Sequence, residues 1–161
     1  MSTLALLDAA RARLGSAPRE HLGELVEPGR ILGLRRAPRI VPRGTAWHVG
    51  VLLLTDDAVF ATGQIVRARA EVPRGYTAES QRRRAELAAA AQRGGFPEGA
   101  TVHVGWRMLD PAAVDRGEAS EPLALEDGVP SVRWSSAGGR VRLAAYLDER
   151  VGLLLDPPAG A

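Results

Sequence analysis

The chain has 161 residues, 21 of them basic and 19 acidic, and a formal net charge of +2. It holds no cysteine, which excludes disulfides, thiol catalysis and cysteine-ligated zinc or iron–sulfur centres. Every basic residue is arginine, so a Walker phosphate loop and a Ser-x-x-Lys amidase site, both of which need lysine, are excluded as well.

The missing lysine and asparagine, beside abundant Ala, Arg, Gly, Pro and Val, match coding by a GC-rich bacterial genome. The length suits a single domain over 1–161 with a core of its own. "MSTLALLDAARARLG" lacks a basic n-region and its apolar run is broken by Asp8, so no signal peptide is expected. No window reaches the ~18 apolar residues of a membrane span, and the expected location is cytoplasmic with no membrane partner.

In chain order, residues 3–14 read as a helix with Leu4, Leu7, Ala10 and Leu14 on one face and Gly15 as its stop. "SAPREHLGELVEPG" reads as a second, weaker helix with Leu22, Leu25 and Val26 apolar. Residues 1–27 are thus expected to be a helical segment packing on a sheet domain. "RILGLRR" and "RIVP" read as short strands around a breaker. In "AWHVGVLLLTDDAVFATG", Trp47, Val49, Val51 and Leu53 alternate onto one face, with His48, Gly50, Leu52 and Leu54 on the other. "TDD" is a turn, and the chain resumes as strand over 58–72, with Gly63 marking a bend and Val66, Ala68, Ala70 and Val72 on one face. Residues 77–93 form an alanine-rich helix with Thr77 as N-cap and Gly94–Gly95 as stop.

"TVHVGWRML" returns to strand, with Val102, Val104, Trp106 and Met108 apolar and His103, Gly105 and Arg107 opposite. Two hairpins follow, one turning at "EDG" and one at "SSAGG", with Pro130 marking an edge. Residues 143–155 are a closing helix whose face is Leu143, Leu147, Val151 and Leu154. Hairpins outnumber βαβ units. The expected class is therefore α+β: a mostly antiparallel sheet, or a small partly open barrel, with N-terminal helices, an inserted helix and a C-terminal helix.

The chemistry-bearing residues are sparse. His48 and His103 lie within three residues of Trp47 and Trp106, and a metal reading would add Asp56 or Glu71. No H-x-H or HExxH spacing supports it, and no metal or cofactor is expected. Asp56 and Asp57 are adjacent and point apart, which suits a turn better than an acid–base pair. No serine lies in G-x-S-x-G. Arg82–Arg83–Arg84 is flanked at i,i+4 spacing by Glu79 and Glu86 and reads as a solvated face. Between Glu27 and Asp56 there is no acid, yet Arg30, Arg35, Arg36, Arg39 and Arg43 fall there; 110–127 holds six acids against one arginine.

"GVLLLTDDAVFATG" resembles a hairpin of bacterial pleckstrin-homology-like domains, which implies a bent antiparallel barrel capped by a C-terminal helix. The ending "YL…R…LLL…PP" resembles short proteins of GC-rich bacteria, some of them named glutaminase, an activity whose Ser-x-x-Lys chemistry this chain cannot carry. The leading expectation is a small non-enzymatic binding protein acting through self-association or a protein partner, with Trp47, His48, His103, Trp106, Arg35, Arg36, Arg39 and Arg43 as binding residues. The alternatives are a small hydrolase with a dispersed site near His48 and His103, and a weak nucleic-acid or anion binder using the 30–43 arginines. Nucleic acid ranks last, because no aromatic side chain interleaves those arginines.

Overall fold

The computed structural model describes residues 1–30, 32–71, 75 and 78–160. The elements run α1 (Thr3–Leu14), β1 (Glu20–Val26), β2 (Arg39–Val49), β3 (Leu52–Leu54), β4 (Val59–Ala61), β5 (Gln64–Arg67), α2 (Glu79–Arg93), β6 (Thr101–Val104), β7 (Arg107–Met108), α3 (Pro111–Asp115), β8 (Leu123–Glu126), β9 (Val129–Arg133), β10 (Arg140–Arg142) and α4 (Leu143–Leu155). The class is α+β, and the sheets do not close into a barrel. Two compact units divide the chain. The first holds Met1–Arg19, Ala46–Thr62 and Arg107–Ala161, the second Glu20–Thr45 and Gly63–Trp106.

In the first unit the end of β2 pairs antiparallel with β3, β3 with β4, and β4 with β7. A separate antiparallel sheet runs β10-β9-β8. Leu7, Ala10 and Leu14 of α1 and Leu143, Tyr146, Leu147 and Val151 of α4 bury against Trp47, Val49, Leu52 and Leu54. Ser2 caps α1, its hydroxyl accepting from the Ala5 amide at 3.1 Å. The Asp115 carboxylate accepts the Thr3 amide at 2.6 Å and the Leu4 amide at 3.3 Å, so two of the helix's unpaired donors are satisfied by α3.

The core face of the 46–54 run differs from the alternation in sequence. Trp47 lies opposite Leu54 and Val49 opposite Leu52, so the inward set is Trp47, Val49, Leu52 and Leu54. A tight turn at Gly50–Val51 breaks the run into two strands and shifts the phase by one residue. Gly50 has φ +64°, and a Cβ there would sit 1.9 Å from the Tyr146 hydroxyl oxygen. Only glycine meets both demands.

The second unit has the strand order β5-β6-β1-β2, with β1 parallel to β6 and β5 antiparallel to it. Its core is Ile40, Val66, Ala68, Ala90, Ala91, Phe96, Val102 and Val104. The small side chains of α2 let it approach closely: a Cβ on Gly94, its C-cap, would fall 1.6 Å from the Ile40 carbonyl oxygen.

Several expectations are corrected here. The second N-terminal helix is strand β1, so residues 1–27 are not wholly helical. Gly23 explains the choice: a Cβ there would meet Ile40 Cγ2 at 2.4 Å and Val102 Cγ1 at 2.7 Å, a close inter-strand fit. The described residues of "RILGLRR" form no strand: Leu32 and Gly33 lie in a turn and Leu34 makes an isolated bridge, while Ile31 lies outside the described residues. "TVHVGWRML" is two strands broken at Gly105, φ +70°, and its two halves have different partners. His103 is buried and Met108 exposed, the reverse of their expected faces. The break at Gly63 is as expected; a Cβ there would lie 2.2 Å from the Val104 carbonyl oxygen. Pro130 lies in β9, the middle strand of its sheet, but β10 covers β9 only over 131–133, so Pro130 has a neighbour on one side only. The expected cap at Thr77 and the inward Val72 lie outside the described residues.

Candidate functional site

Of the residues singled out in the sequence, the aromatic and imidazole groups are buried or half-buried. Trp47 is buried; its Nε1–H donates to the Ala17 carbonyl at 3.2 Å and the Arg19 guanidinium lies 3.8 Å from its ring centroid. His48, in the first unit, is half-buried with Nε2 2.9 Å from the Gly50 carbonyl oxygen. In the second unit Trp106 donates to the Gly23 carbonyl at 3.0 Å. His103 has no solvent-exposed surface, and its Nε2 meets the carboxylate of Glu20 across the β1–β6 pair. Reading 16–27 as a helix hid that carboxylate from the sequence argument.

The acids weighed as partners are engaged elsewhere. Asp56 is exposed and takes two hydrogen bonds from Arg19, at 2.5 and 3.2 Å; that guanidinium holds its carboxyl below the usual range. Asp57 accepts from the Thr55 hydroxyl at 3.0 Å, as a turn aspartate does. Glu71 lies 3.6 Å from Arg93. Among the arginines, Arg43 pairs with Glu24 and Arg39 is exposed at the start of β2. Arg35 and Arg36 are brought together with Arg30 at a surface cleft of about 390 Å³.

A larger cleft of the second unit lies between β5 and α2. It has a volume of about 450 Å³ and is bordered by Ile65, Arg67, Arg69, Gln81, Arg84 and Leu87. Its geometry follows from topology. Gly63 ends one strand path and turns the chain onto β6, in register Gln64↔Val104 to Arg67↔Thr101. Among the described residues β5 pairs with β6 alone, so its outer edge carries backbone groups that no other strand takes up. Val66 points into the core, while Ile65 on the other face remains 54% exposed. The Arg69 amide donates to the Ala88 carbonyl at 3.1 Å and fixes the strand's end against the helix.

Among the described residues no carboxylate and no hydroxyl or thiol nucleophile lines this cleft; the side-chain donors there are guanidinium and carboxamide groups around an apolar floor. Guanidinium and carboxamide donors of this kind pair with carboxylate groups. Arg84 belongs to the arginine run that the sequence assigned to a solvated face; its role at the cleft depends on where β5 lies, which no local signal encodes. No protein-family model, no curated protein and no solved structure matches the chain.

Proposed function

We propose that the chain is a binding module that receives an extended, acidic segment of a partner polypeptide along the edge of β5, in the groove shared with α2. The single observation that carries this reading is the coincidence of an edge strand, an exposed Ile65 and three arginines in one acid-free cleft. An added strand would take its main-chain hydrogen bonds from β5, with apolar side chains toward Leu87 on the α2 side alternating with acidic ones toward Arg67 and Arg69 on the face of Ile65. Arg84 borders the same groove from α2.

The magnitudes favour a transient complex. Burying Ile65 fully contributes at most about 1.5–3 kcal/mol, and each exposed ion pair adds roughly 0.2–1 kcal/mol and weakens with salt. Selection of displayed random peptides against the whole chain tests the reading. Peptides alternating apolar and acidic residues are expected to be enriched, and Arg67→Glu with Arg84→Glu should abolish their capture while the thermal midpoint holds. Enrichment of basic peptides, or capture that survives the double charge reversal, would contradict the proposal. So would self-association that fills the groove, seen as a concentration-dependent mass that the same reversal abolishes.

A further inference from the structure

Among the described residues of the second unit, the most exposed large apolar side chains lie between β1 and β2. Leu32 is 95% exposed and Leu34 74% exposed. Leu32 also holds a left-handed backbone conformation, φ +54°, followed by Gly33 at +79°. A leucine gains nothing within its own fold from this position, since almost none of its surface is covered and the backbone is unfavourable. Arg30, Arg35 and Arg36 flank it, all exposed, around the 390 Å³ cleft with Glu27, Pro28 and Pro38 at its margin. Glu27 is the one acid there, and no other follows until Asp56. The loop's C-terminal end is fixed: the Arg93 guanidinium donates twice to the Pro38 carbonyl, at 3.0 and 3.2 Å.

We propose that residues 32–36 seat the protein on an anionic phospholipid surface, with Leu32 and Leu34 entering the headgroup–acyl boundary and Arg30, Arg35 and Arg36 binding lipid phosphates. The charge and the exposed tip point to this occupant. A guanidinium fork matches phosphate oxygens and is weakly hydrated, so it gives up water readily at the headgroup level. Two leucines at a turn offer a membrane the shallow insertion that a protein groove would have to be shaped to receive. No described helix is long and apolar enough to cross a membrane. The absence of a span from the sequence therefore does not bear on a loop that only enters the surface.

The anchor is weak by construction. Each arginine near an anionic leaflet contributes roughly a fivefold gain in partitioning. Two leucines fall well short of a single acyl chain, which itself binds only reversibly. Adsorption should therefore depend on anionic lipid. The proposal stands apart from the β5 groove, and its variants leave that groove intact.

Sedimentation of the full chain with vesicles tests it, using either equal parts phosphatidylserine and phosphatidylcholine or phosphatidylcholine alone. The protein should sediment with the anionic vesicles and not with the neutral ones. Leu32→Ser with Leu34→Ser, and separately Arg35→Glu with Arg36→Glu, should each lower that partitioning at least about tenfold. Thermal midpoints should stay unchanged, because these side chains are exposed. As a second readout, the Leu32→Trp variant should show a blue-shifted emission component, relative to the parent chain, only with anionic vesicles. Failure of the parent chain to sediment would overturn the proposal. So would equal binding to neutral vesicles, or full binding by the leucine pair variant, which would mean simple charge adsorption. Loss of a protein dimer in the leucine variant would instead assign the tip to a second copy and also overturn it.

Discussion

Tyr146 shows how one side chain sets a turn. Its hydroxyl accepts the Val51 amide at 2.7 Å and donates to the Val49 carbonyl at 3.3 Å, bridging the two sides of the β2–β3 turn. Burial pushes its phenol above the ordinary value near 10, against smaller opposing contributions from the Val51 amide and Arg150. The neutral form is therefore favoured in the fold. The stability it contributes is fully present below about pH 10 and is lost as pH rises through the raised value. Tyr146→Phe should cost about 1–2 kcal/mol at neutral pH by leaving the Val51 amide unpaired, and should flatten the alkaline limb of a pH–stability curve from thermal melts. A limb unchanged in the variant would refute this. Gly50→Ala should cost more, about 2–5 kcal/mol, because a left-handed residue and a contact with Tyr146 are both imposed.

Asp115 has the opposite sign. Burial works to raise its carboxyl, but hydrogen bonds from Thr3, Leu4 and Ser2 outweigh it and hold the group below its ordinary value. Its contribution is present above about pH 4 and falls away as pH drops through the lowered value. Asp115→Asn should therefore flatten the acid limb of the same curve, and an acid limb as steep as the parent's would argue against the α1–α3 contact as its source.

At the scale of elements, α4 is the lid of the first unit's core. Leu147→Ala should cost about 2–5 kcal/mol by denaturant unfolding; a cost below about 1 kcal/mol would mean the helix is not packed as described. α4 and α2 were legible because each repeats one apolar face over more than three turns. The inner strands were less so. "EHLGELV" is seven residues long, and over that length helical and extended spacing cannot be told apart. The fact that decides it, Gly23 lying against Ile40 and Val102, is a long-range one. Likewise the alternation over 46–54 reads as one strand, because the turn at Gly50–Val51 is announced only by a glycine. "RILGLRR" reads as a strand from its few apolar residues set among arginines, the same setting in which Leu32 and Leu34 are exposed.

At the scale of the whole molecule, the segregation of charge in the sequence survives as a property of surfaces. The acid-free stretch 28–55 supplies the arginine loop, and the groove draws Arg67 from β5, Arg69 from just after it and Arg84 from α2. The clustering of the loop arginines was therefore legible, while the groove was not, since an edge strand is defined by what pairs beside it. Because exposed guanidiniums supply the charge, peptide affinity at the groove should fall steadily as salt rises from low to physiological strength. An affinity indifferent to salt would assign recognition to Ile65 and Leu87 alone. The account as a whole rests on β5 accepting a further strand, and amide hydrogen exchange reads that event directly. With a peptide alternating valine and glutamate in excess, the outward-facing amides within Gln64–Arg67 should become protected, and Arg67→Glu with Arg84→Glu should remove the protection. Exchange at β5 that is unchanged by a peptide shown to bind would contradict the account.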